Sequence, residues 1–193
     1  MNINKTKMST KTMVLGAVLS ALVIVLQLMG AFIRLGPFSV SLVLVPIVIG
    51  AAMCDTRIGA WLGFLFGVVV LLSGDAAAFL AINIPGTIIT VLVKGTACGL
   101  VAGLVYKLLE RFNRYLAVLV AAIVCPVVNT GVFLLGCSVF FMETIKTWAN
   151  GGDVLTYMIL GLVGGNFLVE LAINIVLSPV IVRILNIKRR AKN

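Results

Sequence analysis

Apolar runs of bilayer length, parted only by short polar turns, fill almost the whole chain and leave it few folds to choose from. A helix of about 20 mainly apolar residues crosses a hydrocarbon core of about 30 Å. In lipid each backbone N–H and C=O must find its partner within the protein, so helices are the economical solution. Hydrophobic residues make up 62% of the chain and charged ones 11%, against roughly 45–50% and 25% in an ordinary soluble domain. The expectation is an all-α integral membrane bundle, with residues 1–193 forming a single membrane domain and no soluble domain attached.

Turn residues and charges punctuate the chain into six apolar segments, at about 13–33, 39–53, 58–72, 87–109, 115–141 and 155–185. The second contains Pro46 and is short for a full span, which suits a helix that is tilted, broken or covered by its neighbours. The third carries Gly59, Gly63 and Gly67, a four-residue spacing that lets helices approach closely in lipid. Ser73 to Gly86 reads as a loop with a short helix near the membrane surface, and Glu143 to Asp153 as a polar loop.

The net charge of +9 is placed as orientation is written in membranes, not as a nucleic-acid surface. With six spans, the N-tail, the second and fourth loops and the C-tail hold twelve Lys and Arg residues, among them Lys5, Lys11, Arg57, Lys107, Arg114, Arg183 and Lys188. The other side holds Arg34 and Lys146. Both termini are therefore expected in the cytoplasm. Lys5, Lys7 and Lys11 before an apolar run look like a signal peptide, but that run is too long for one and lacks a small-x-small cleavage site, so it reads as a retained first helix.

Several chemistries are excluded. There is no GxxxxGK[ST] phosphate loop, so the chain does not hydrolyse ATP itself. Without histidine it has no Ser–His dyad, HExxH site or His-ligated haem. Cys54, Cys98, Cys125 and Cys137 stand singly in apolar sequence and read as packing residues, not metal ligands. No enzyme activity, cofactor or metal is expected.

Polar side chains within apolar helices are expensive and are functional candidates. The sixth segment carries Asn166, Glu170 and Asn174, four apart and so on one face. The fifth carries Asn129 and Thr130, and the fourth carries Lys94, roughly 10 Å below its outer end. Asn83, in the outer loop, is placed to close a site built from these residues. Two blander readings stand beside this one: Asn and Thr simply bridging helices, and Lys94 and Glu170 simply neutralising each other. On the first segment, Ala17 and Ala21, with Gly16 and Ser20 beside them, form a smooth face for close helix contact, either inside the protein or against a partner.

Size, helix count and several local patterns add a resemblance. The patterns are the Ala17-x-x-x-Ala21 pair, Leu44-Val45-Pro46-Ile47-Val48-Ile49-Gly50, and Gly59-Ala60-Trp61-Leu62-Gly63-Phe64-Leu65-Phe66-Gly67. Over nearly its whole length the chain resembles the substrate-binding S components of energy-coupling factor (ECF) vitamin transporters. The resemblance implies capture of a vitamin or related micronutrient from outside a bacterial plasma membrane, in a pocket of the outer loops and helices four to six. It also implies docking through the Ala17 and Ala21 face onto a membrane T component served by two cytoplasmic ATPase subunits, and toppling of the S component in the bilayer. Lys94 and Arg34 suit an acidic ligand such as pantothenate, whereas Glu170 pulls the other way. The rival expectation is a small ion-coupled secondary carrier, because Asp55-Thr56-Arg57-Ile58-Gly59 is similar to the Asp-Arg-x-Gly loop of major-facilitator carriers. A membrane scaffold without a ligand would leave the deep polar face unexplained.

Overall fold

The computed structural model describes residues 10–30 and 41–190. The ends assigned above to the first segment at Ile33 and the second at Ser39 lie outside the described residues, as do Lys5, Lys7 and Arg34. Among the described residues every regular element is helical: α1 (Thr10–Gly30), α2 (Leu44–Met53), α3 (Thr56–Leu72), α4 (Ala77–Leu80), α5 (Ile84–Leu109), α6 (Arg114–Phe140), α7 (Met142–Trp148), α8 (Val154–Thr156), a π-helix (Tyr157–Gly164) and α9 (Gly165–Arg190). Thr10–Gly30, Ile84–Leu109, Arg114–Phe140 and Val154–Ile187 are long and apolar enough to cross a membrane. The apolar helices α2 and α3 are shorter, at 10 and 17 residues.

Local chemistry sets the helix starts. Asn113 caps α6 by accepting from the Tyr115 and Leu116 N–H groups at 2.8 and 3.2 Å, satisfying donors that the first turn leaves open. Asp153 accepts from the Thr156 N–H and hydroxyl at 2.8 and 2.6 Å, and these bonds hold its carboxyl below the usual carboxylate range. The polar stretch after α6, expected as a loop, is partly helical because Ile145 buries itself fully against the bundle.

The tightest packing joins α3 to α5. Gly59, Gly63 and Gly67 face Gly99, Gly95 and the Val91 carbonyl, and Gly103 faces Thr56. A side chain at any of these glycines would meet the other helix's backbone. The main core fills the space beside this seam, with Leu44, Ile47, Leu62, Phe66, Val118 and Ile181 all fully buried. Outward faces are also apolar, for example Leu104 and Leu135, which is the pattern of a helix bundle solvated by lipid.

The helix ends sort the charges. Gly103 meets Thr56, Gly16 of α1 meets Ile58, and the Arg114 guanidinium donates to Asn186 Oδ1 at 3.3 Å. Lys11, Arg57, Lys107, Arg114 and Arg183 therefore gather at one end of the bundle. The other end holds the α3–α4 loop, the start of α5 and the end of α6, where Gly86 packs against Phe140.

Candidate functional site

A cavity opens in the half of the bundle away from the basic end, with about 730 Å³ of space free of protein atoms, its mouth included. Six segments supply its polar wall, Ser41 coming from the approach to α2. Helix α1 gives Gln27, the α3–α4 loop gives Asp75, and α5 gives Thr87, Thr90 and Lys94. Asn129 and Thr130 come from α6, and Asn166 and Glu170 from α9. The apolar wall is aromatic. Phe79 stands edge-on to Phe133, Phe141 and Trp148, at centroid distances of 5.7, 4.9 and 5.6 Å. Leu162 and Val163 complete this wall from the π-helix. A π-helix widens the turn and re-aims side chains, and such segments recur at functional sites.

Thr87, Thr90 and Lys94 lie on one face of α5 because they are three and four residues apart. Helix α5 begins at Ile84, earlier than the sequence pattern predicts, because Pro85 suits a first turn and Asn83 caps it. Lys94 therefore lies about 15 Å from the helix start, near the middle of a span. Its ammonium lies 5.5 Å from the centre of the Phe66 ring and 5.3 Å from that of Phe133. It does not pair with Glu170. Glu170 Oε1 instead accepts the Ser41 backbone N–H at 2.9 Å, tying α9 to the approach to α2. Asp75 Oδ2 accepts the Gln27 amide at 2.7 Å, tying α1 to the α3–α4 loop. Buried oxygens that face no partner include Gln27 Oε1, Thr90 Oγ1 and Asn129 Oδ1. Orphans like these cost about 1–3 kcal/mol each unless a ligand or water meets them.

The structure thus brings Lys94, Asn129, Thr130, Asn166 and Glu170 onto one cavity and leaves two sequence candidates off it. Asn174 lies one turn deeper, its amide donating to the Glu170 carbonyl at 2.8 Å. Asn83 accepts the Gly86 N–H at 2.9 Å and so serves the helix, not the cavity. Asn83→Ala should therefore cost about 1 kcal/mol of stability, the usual worth of such a cap, and lower the melting temperature in detergent. Ligand affinity should stay within about twofold, a difference of only about 0.4 kcal/mol; a large loss would return Asn83 to the site. Gln27, Ser41, Asp75, Thr87 and Thr90 are wall residues that the sequence reading passes over. Gln27 obeys the rule that picked out Lys94, being a polar side chain within an apolar helix.

The small-residue face of α1 is divided. Gly16 is buried against Ile58, and the Ser20 hydroxyl donates to the Gly16 carbonyl at 2.8 Å while accepting from the Trp61 indole at 3.3 Å. Ala17 and Ala21 point outward and are exposed.

The chain matches no curated protein and no solved structure. The family model described as ECF transporter, substrate-specific component, matches residues 11–182, nearly the whole of the described bundle, and the chain belongs to that family.

Proposed function

We propose that this chain captures a vitamin or related micronutrient outside a bacterial cell and hands it to an ATP-driven import module. The observation that carries the reading is the position of the cavity. It lies in the half of the bundle opposite the end where Lys11, Arg57, Lys107, Arg114 and Arg183 gather. Under the positive-inside rule that basic end faces the cytoplasm, so both termini lie inside and the cavity faces out. Six spans in one membrane domain fit the same frame. Helix α3 measures about 26 Å at 1.5 Å per residue, and α2, with Leu44, Ile47 and Val48 fully buried, is sheltered enough to be short.

Delivery needs partners on this reading, since the sequence carries no GxxxxGK[ST] phosphate loop with which to use ATP. The exposed Ala17 and Ala21 face offers a membrane T component a surface for close approach, and two cytoplasmic ATPase subunits would drive the cycle. Two measurements test this. Native mass spectrometry of the gently purified chain should release one vitamin-sized molecule per chain. In proteoliposomes, uptake should require the T component, the ATPases and ATP. Uptake by the chain alone on an ion gradient would replace this reading with a secondary carrier.

A further inference from the structure

What the cavity walls leave unmet describes the ligand, provided the capture role proposed above holds. Among the described residues lining the cavity Lys94 is the one cation. Its ammonium has three donors, yet among the described residues it meets neither an ion-pair partner nor a hydrogen-bond acceptor. The two nearby carboxylates each accept another donor, Glu170 Oε1 the Ser41 N–H and Asp75 Oδ2 the Gln27 amide, and neither forms an ion pair with Lys94. The rings of Phe66 and Phe133 face Lys94 instead. Ring faces offset only about 0.5–2 kcal/mol for a cation, well short of what an ammonium loses on leaving water. An anion arriving from outside would supply the missing partner.

The remaining orphans are acceptors. Asn129 Oδ1 and Gln27 Oε1 can only accept, and the Thr90 hydroxyl can also do so. They call for hydroxyl or N–H groups a few ångströms from the anion. Thr90 sits one turn from Lys94 on the same face of α5. Beyond them the wall of Phe79, Phe133 and Phe141 calls for an apolar portion.

We propose that Lys94 is the anion-recognition residue of this cavity. Its ligand is a small acid with one carboxylate or phosphate, hydroxyl or N–H donors beside it and an apolar portion. Glu170, which at the sequence level argues against an acid, turns Oε1 to the Ser41 N–H and forms no ion pair with Lys94, so the ammonium stays open to an incoming anion.

The test offers the detergent-purified full chain a mixture of matched probes, together with yeast extract, and reads retained molecules by native mass spectrometry. The pairs are pantothenate with panthenol, nicotinate with nicotinamide, biotin with biotinamide, and pyridoxal 5′-phosphate with pyridoxal; the last separates phosphate from carboxylate. Wild-type protein should retain an acid at one per chain and reject its uncharged counterpart. Lys94→Met should weaken retention by at least about 30-fold, the scale for removing one partner of a buried charge pair. Lys94→Arg, which keeps the charge, should stay within about tenfold of wild type, about 1.4 kcal/mol. A monodisperse size-exclusion profile certifies each variant as folded. Retention of a neutral or cationic molecule, or of the acid by Lys94→Met, overturns the anion assignment and leaves the capture role standing. If no form retains anything from probes or extract, the capture role falls and the inference falls with it.

Discussion

Gly63→Leu should yield almost no monodisperse protein, while Gly131→Ala should behave as wild type or melt slightly higher. A Cβ on Gly63 would collide with the Gly95 carbonyl, and one on Gly95 would collide with the Gly63 carbonyl, so neither helix can yield alone. Apolar surface gains little by leaving lipid for protein, so helices in membranes are held by close packing and small residues. Overpacking an ordinary core costs roughly 1–3 kcal/mol because side chains can shift. Here the obstacle is backbone, and the expected cost is at or above the top of that range. The consequence reaches the cavity as well, because α5 carries Thr87, Thr90 and Lys94 and would move as a unit. On α6, a Cβ added to Gly131 would meet nothing within 4 Å, so alanine there adds only helix propensity, up to about 1 kcal/mol. Size-exclusion profiles and thermal melts in detergent compare the two. A folded Gly63→Leu with an unchanged melt would show that the α3–α5 seam is not what holds the bundle.

The seam also shows how far the sequence could be read. The spacing of Gly59, Gly63 and Gly67 announced a close contact, but its partner was written in the same code at Gly95, Gly99 and Gly103. A four-residue glycine stripe names a face without naming what meets it, and two such stripes point to each other only once both are noticed. Lys94, Asn129, Thr130, Asn166 and Glu170 were legible because a polar side chain in an apolar helix stands out against its surroundings. Threonine hides more easily. Its hydroxyl can bond back to its own helix, as Thr87 does to the Asn83 carbonyl at 2.7 Å, so its presence alone says little about a site. Asn83 misled for the opposite reason. Ahead of Ile84-Pro85-Gly86 it carried a capping signal, and that local task took the side chain out of the cavity. Nothing in the composition of Tyr157–Gly164 distinguishes a π-helix from an α-helix, so the placement of Leu162 and Val163 came only with the fold. The pairing of Glu170 was equally closed to sequence, because Ser41 lies 129 residues away.

Enlarging the outward face of α1 should separate capture from delivery. The double variant Ala17→Leu with Ala21→Leu is expected to keep wild-type folding and ligand affinity, because both side chains project away from the bundle and leucine is at home in lipid. Uptake through the complete ATP-driven module should fall at least tenfold. Helices that meet in lipid through small residues rely on backbones coming close, and each leucine would hold the partner off. A tenfold fall requires only about 1.4 kcal/mol of lost docking energy, which two misplaced isobutyl groups readily exceed if the interface is as tight as the α3–α5 seam. Leu135→Trp on α6, where Leu135 is 66% exposed, controls for added bulk facing lipid and should leave uptake unchanged. Binding is read by native mass spectrometry and uptake in proteoliposomes, so the two steps report separately. If the double variant transports normally, Ala17 and Ala21 merely face lipid and docking uses another surface. If it loses binding and uptake together, the face is coupled to the cavity through α1, whose Gln27 hydrogen-bonds to Asp75. If uptake alone falls, α1 divides its labour: Gly16 and Ser20 hold it to α3, Gln27 lines the cavity, and Ala17 and Ala21 meet the partner.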